Sequence, residues 1–224
     1  MRRRIGILIS GRGSNMEAII RAAGAPGYPA EIATVVSSRP EAAGVRLAAA
    51  LGVEAIAIDP SAYPDREAFE ERLDHHLRSR RVDYVACAGF MRILTQGFVE
   101  SWRDRIVNIH PSLLPSYAGL CTHERAIADG VRIHGCTVHF VRAALDRGPI
   151  VSQAAVQVFP DDTAGALAAR VLKVEHAIYP QSLGWLAAGE IGVEDERVVY
   201  RFDGARDRGP LASPSLTEWR GRPP

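Results

Sequence analysis

Asn108-Ile109-His110-Pro111-Ser112-Leu113-Leu114-Pro115 places an amide and an imidazole two residues apart at the end of an apolar run. Spacing by two puts both side chains on the same side of an extended segment. An amide N–H can stabilise a developing oxyanion, and an imidazole can move a proton near neutral pH. The prolines stiffen the loop that follows. Asp146, in Leu145-Asp146-Arg147-Gly148-Pro149, lies in a later loop from which a carboxylate can reach His110 and favour its imidazolium form. A strand-end histidine capping its own loop is the plainer reading of His110 taken alone, and Asp146 tips the balance towards chemistry.

A second feature suits an anion. Ser10-Gly11-Arg12-Gly13-Ser14-Asn15 lies between an apolar run and a helix-length segment. Helix N-termini present unpaired N–H groups, glycines let the backbone approach a phosphate, and Ser14 and Asn15 add donors. No Gly-Lys-Ser/Thr follows, and Met16 stands where a dinucleotide fingerprint has its third glycine. Arg39 after the second strand keeps an NADP-binding module open as an alternative. No serine sits in a nucleophile elbow, and His123, His134, His139 and His176 form no strong metal spacing, so no metal is expected. His139, inside an apolar strand, reads as a packed strand residue.

The elements that must carry these groups alternate. Strands are expected at Arg4–Ile9, Ile32–Val36, Val53–Ile58, Asp83–Ala88 and Arg105–Ile109. Helices fall between them at Asn15–Ala23, Glu41–Leu51 and from Pro64-Asp65 to about Arg80. Apolar runs without strict alternation point to a parallel sheet covered on both faces. The expected fold is therefore α/β, a doubly wound, mostly parallel, Rossmann-like sheet in one domain. Ligands in such sheets bind beyond the carboxyl ends of strands, where Asn108 and His110 stand. Gly135–Val141 and Ile150–Val158 read as two further strands, Thr163–Leu186 as a helix capped by Thr163, and Val198–Phe202 as a late edge strand. Residues 1–202 make the domain, and 203–224 a Pro/Gly/Arg-rich tail.

Composition excludes whole classes of function. The 224 residues carry 27 Lys+Arg against 26 Asp+Glu, so the net charge of +1 gives no electrostatic reason for a nucleic-acid or membrane partner. Lys173 is the single lysine, so each of the many arginines deserves less functional weight. No apolar run approaches the roughly 20 residues of a membrane span. Cys87, Cys121 and Cys136 form no CxxC pair, which argues against a disulfide framework or zinc knuckle. A cytoplasmic protein is the expectation.

From about Arg4 to Trp185 the chain resembles the folate-dependent formyltransferase family. The resemblance is carried by Ile9 to Asn15, Ala88-Gly89-Phe90-Met91-Arg92-Ile93-Leu94, Asn108 to Pro115, His134 to Val141 and Leu145 to Ile150. The Gly-Ser-Asn loop and Glu175-His176-Ala177-Ile178-Tyr179-Pro180 narrow it to members acting on phosphoribosylglycinamide (GAR). It implies formyl transfer from 10-formyltetrahydrofolate to the GAR amine, with Asn108, His110 and Asp146 catalytic. It implies Gly13, Ser14, Asn15, Lys173 and Glu175 around GAR. Arg66, Met91, Arg92, Ile93, Leu94, Asn108, Arg142, Ala143, Ala144, Leu145 and Asp146 would hold the folate. The partners implied are small molecules, with a homodimer left open. Hydrolysis of formyl-folate and formylation of a different amine are the nearest alternatives. Where the family usually has a second loop histidine, this chain has Cys121, whose thiol donates weakly, so slower turnover is expected.

Overall fold

The computed structural model describes residues 2–201. The expected 203–224 tail lies outside the described residues, as does Phe202 at the end of the expected edge strand. A seven-stranded sheet has the order β3-β2-β1-β4-β5-β6-β7. Its strands are β1 (Arg3–Ile9), β2 (Ala30–Ser37), β3 (Ala55–Ala57), β4 (Tyr84–Cys87), β5 (Ile106–His110), β6 (Ile133–Phe140) and β7 (Ile150–Gln157). β1 to β5 run parallel, while β6 and β7 are antiparallel to their neighbours. The helices are α1 (Ser14–Ala23), α2 (Ala43–Ala50), α3 (Arg66–Ser79), α4 (Gln96–Ser101), α5 (Thr122–Ala128) and α6 (Ala164–Ala188).

The apolar runs become strands because both faces are covered. Ile5, Ile7 and Ile9 pack into one core with α1 and α6, and Leu8 and Val85 into another with Phe69, Leu73 and Leu77 of α3. Gly6 is required by that packing: a Cβ there would stand 2.8 Å from Leu77 Cδ2. Local chemistry sets the helix starts. Asp65 caps α3 by accepting from the Ala68 N–H at 2.8 Å, so the helix opens at Arg66 and not at Pro64. Thr163 caps α6 as expected, through the Ala166 N–H.

Three expectations need correction, and two helices were not expected. The strand expected over Val53–Ile58 shortens to Ala55–Ala57, and the second helix to Ala43–Ala50. α4 and α5 are short helices, six and seven residues, whose weak periodicity hides among polar loops. The late strand is not an edge of the main sheet. It is β9 (Arg197–Tyr200), paired antiparallel with β8 (Ile191–Glu194) in a hairpin of its own. Its tight turn is made by Asp195 and Glu196, both at positive φ, a conformation sequence alone does not announce.

Candidate active site

β5 delivers Asn108 and His110 to the carboxyl edge of the sheet, as the alternation predicts. Its antiparallel register with β6 sets Asn108 opposite His139 and His110 opposite Thr137. The Asn108 amide nitrogen lies 3.2 Å from His139 Nε2, and His139 Nδ1 lies 3.0 Å from the Phe140 carbonyl oxygen. The carbonyl can only accept, so Nδ1 carries the proton and Nε2 accepts from the amide. Burial lowers the proton affinity of His139, in keeping with this neutral form. His139 is thus more than the packed strand residue expected. It orients Asn108 and leaves that amide's second N–H to point elsewhere. The register is the signal that finds it, and register is a tertiary property.

His110 is buried and has acceptors at both ring nitrogens. Nε2 lies 3.0 Å from the Tyr117 carbonyl oxygen, and Nδ1 lies 3.5 Å from Asp146 Oδ2. Both partners are oxygens that can accept from a ring N–H. Asp146 has φ 53°, and its Oδ2 also accepts from the Gly119 N–H at 2.8 Å. One carboxylate therefore ties the β6–β7 loop to the loop after Leu114-Pro115. That second loop is fixed from below: Thr137 Oγ1 donates to Ser112 O at 2.7 Å and accepts from the Leu114 N–H at 3.0 Å. Gln153 adds a donor to Leu114 O. Next to His110, the rings of His123 and His134 meet edge to face, with centroids 5.2 Å apart. Burial pushes His134 down to about 4 and also lowers His123.

The reactive residues open into a cleft of about 800 Å³. Its rim is apolar and exposed at Met91, Ile93, Leu120 and Leu145, while Leu94 turns into the core. Cys121 stands in the cleft wall, exposed, at φ 55° just before α5. Arg92 lines the same cleft and lies over the Phe69 ring. Three residues expected around a folate are placed differently, and one of them, Ala144, is exposed and not among the residues lining this cleft. Arg66 is exposed at the start of α3 and is not among the residues lining this cleft. Arg142 lines the cleft, but its guanidinium is already paired with Asp104 and Glu196, at 2.6 and 2.7 Å.

The anion loop lies beside this cleft. Gly13 has φ 81° and precedes Ser14, the first residue of α1. Gly44 lets α2 approach: its N–H donates to Gly11 O at 3.1 Å, and a Cβ there would stand 2.9 Å from that oxygen. The Asn15 amide donates to Glu175 Oε2 at 2.7 Å, while its Oδ1 is buried without a partner. Burial raises the Glu175 carboxyl above its ordinary range. One helical turn on, Tyr179 donates to the carbonyls of Cys87 and Val107, at 3.0 and 2.9 Å, pinning α6 beneath the ends of β4 and β5. The Glu-x-x-x-Tyr spacing therefore joins the loop to the sheet. Lys173, two residues before Glu175, falls about 200° round the helix and is exposed, so the structure does not bring it to Asn15 and Glu175. Ser10, which the sequence reading passed over, bridges the two regions: its Oγ accepts from the Met91 N–H at 2.9 Å and meets Ser38 Oγ at 2.7 Å.

A doubly wound sheet with a glycine loop after β1 and an oriented amide–imidazole–carboxylate set after β5 places this chain among α/β proteins whose ligand site lies beyond the carboxyl ends of the strands. Residues 3–183 match the formyl transferase family. The chain is 42% identical to Escherichia coli phosphoribosylglycinamide formyltransferase over 85% of this chain and 90% of that protein. It is 41% identical to the Drosophila melanogaster trifunctional purine biosynthetic protein adenosine-3 over 87% of this chain, which spans 15% of that longer protein. Glycinamide ribonucleotide transformylase 1 from Symbiobacterium toebii superposes with a TM-score of 0.87 and 43% identity, over 89% of this chain and 94% of that one. The chain belongs to the formyl transferase family.

Proposed function

We propose that this protein transfers the formyl group of 10-formyltetrahydrofolate to the amine of 5′-phosphoribosylglycinamide, a step of purine biosynthesis. The observation that carries the reading is the His110 ring, held between Asp146 and the Tyr117 carbonyl beside an amide whose orientation His139 sets. The names of relatives that match along most of this chain support the same substrates.

The folate supplies an electrophilic formyl carbon: the GAR amine bonds to it, charge develops on the formyl oxygen, and the bond to the folate nitrogen then breaks. Asn108 stabilises that oxygen with the N–H that His139 leaves unused, and His110 adds a donor when its Nε2 exchanges the Tyr117 carbonyl for the substrate oxygen. Asp146 sets a carboxylate beside the ring, and His110 delivers the proton that the departing folate nitrogen takes up. The proton released by the amine returns the site to its starting state. The fit to a folate rests on the apolar rim of Met91, Ile93, Leu120 and Leu145, which suits a flat, partly apolar ring, and on backbone groups of 89–94 that can pair with its polar edge. Gly13, Ser14 and Asn15 would hold the GAR phosphate, with Glu175 beside Asn15 for a polar group of the same molecule.

Small molecules are the partners in this reading, in the cytoplasm, with no nucleic acid. Among the described residues no helix is long and apolar enough to cross a membrane. The test is absorbance of the folate product with GAR added or withheld. GAR-dependent loss of the formyl group is expected. Loss at the same rate without GAR would establish a formyl-folate hydrolase instead.

A further inference from the structure

The loop that carries Asp146 is gripped at both roots by an element with no other assigned role. At the β6 end, Arg142 is 10% exposed and donates from Nε to Glu196 and from Nη2 to Asp104, while Nη1 donates back to Val141 O at 3.1 Å. Glu196 sits at the turn of the β8–β9 hairpin, and Arg103 bonds to the same carboxylate. At the β7 end, Tyr200 from the other end of β9 donates to the Val151 carbonyl. Between these two grips the chain folds back tightly. The Phe140 N–H donates to Pro149 O at 2.9 Å, and a Cβ on Gly148 would fall 1.6 Å from Phe140 O.

The turn itself is unusual. Asp195 and Glu196 have φ of 47° and 56°, a region that side chains other than glycine adopt uncommonly. A two-residue turn of that hand is compact and fixes the direction in which Glu196 projects. A guanidinium this enclosed, held by carboxylates from two separate turns, leaves little freedom to the backbone it grows from. Asp104 lies just ahead of β5, so the same guanidinium also references the loop to the strand that bears His110.

We propose that the β8–β9 hairpin is a brace for the Asp146 loop, and that Glu196 is a positioning residue for formyl transfer, acting through Arg142. The proposal rests on the reading of Asp146 as the partner of His110. A binding residue for folate would reach into the cleft. Glu196 instead sets the place from which Asp146 reaches it.

The test uses the full chain with Glu196→Gln, which keeps size and removes charge. Glu100→Gln is the control, because Glu100 also pairs with Arg103 but does not touch Arg142. Glu196→Gln is expected to lower kcat by roughly three- to tenfold, short of the 10²-fold that a full 1 Å misplacement can cost. The KM for GAR and the thermal midpoint should stay close to wild-type values, since the Glu196 end of the pair is half exposed, Gln keeps a hydrogen-bond acceptor, and Arg142 retains Asp104. Hydrogen exchange should accelerate at amides 143–147 and not in β6 or β7, and Glu100→Gln should behave as wild type. The proposal is overturned by unchanged kcat and exchange, by a kcat loss matched by a lower thermal midpoint and exchange throughout β6 and β7, or by an equal loss in Glu100→Gln. Absence of GAR-dependent transfer in the wild-type chain would sink the functional reading, while the exchange measurement would still decide the brace.

Discussion

The two halves of the cleft are built on opposite plans. Around the anion loop the backbone does the chemistry: Gly13 at positive φ and Gly44 under Gly11 O bring N–H groups to the start of α1. These features are local to β1, α1 and α2. Around β5 side chains do it, and each is held by a partner distant in sequence: Asn108 by His139, His110 by Asp146, and Asp146 by Gly119. The parallel half is a rigid cradle that needs small residues. The antiparallel half is a buried polar network that needs every member, since removing one leaves others unpaired in a low-dielectric site. The change from parallel to antiparallel pairing at β6 makes the second plan feasible, because it sets residues of β5 and β6 directly opposite each other.

Breaking the second plan at its centre should have the largest effect. His110→Ala removes a donor to the formyl oxygen and the proton source for the leaving nitrogen. A loss of about 2.7–4 kcal/mol of barrier stabilisation, or 10²- to 10³-fold in kcat, is expected. The GAR KM should move little if the cradle is separate. Near wild-type turnover in His110→Ala would remove the reactive half from the account altogether.

The cradle breaks differently. Gly13→Ala forces an L side chain to φ 81° and sets its Cβ 3.1 Å from Gly44 Cα, a backbone atom that cannot swing aside. A stability loss of about 1–2 kcal/mol is expected from the left-handed conformation alone. The GAR KM should rise with kcat at saturation largely kept. Equal effects on kcat and KM would show that the two halves do not work separately. His139→Phe then probes the second plan at its edge, keeping a ring but removing the acceptor for the Asn108 amide. Loss of one neutral hydrogen bond, about 0.5–1.5 kcal/mol, predicts a two- to tenfold fall in kcat at unchanged GAR KM.

The same contrast explains what could be read in the sequence. The sheet strands and the anion loop were legible because their signals are short-range: apolar runs, glycines and a helix start. Asn108 and His110 were legible as a pair, and Asp146 as their partner once the loops were ordered. His139 was not, because a histidine in an apolar strand looks packed until the β5–β6 register is known. Lys173 and Arg142 are implied as binding groups by the resemblance alone. Helix phase turns the first away, and Asp104 and Glu196 occupy the second. Arg66 is placed around the folate only by the resemblance, and its exposure outside the cleft needs coordinates. The separate hairpin was illegible because its turn is made by Asp195 and Glu196, where a glycine would have announced it.

The smallest effect sharpens the comparison through pH. His134 is buried on β6, its edge meets Tyr117 and His123, and the Pro111 backbone offsets only part of the cost of charging it. Burial first, and then the neighbouring His123 and His110 rings, hold it down at about 4. In the unfolded chain a histidine takes up its proton near 6.5. Between these values the unfolded state binds more protons than the folded one, so stability rises with pH. The contribution is whole above about 6.5, declines as the pH falls, and is gone below about 4. The thermal midpoint should therefore drop on acidification through that window, and His134→Phe, which cannot titrate, should flatten part of the slope. His123, whose proton affinity burial also lowers, should account for some of what remains. A Gly13→Ala chain should keep the full wild-type slope, because a Cβ at Gly13 meets Met16 and Gly44 and neither His134 nor His123. If its slope flattened as much as that of His134→Phe, the pH response would belong to the whole fold and not to the antiparallel half.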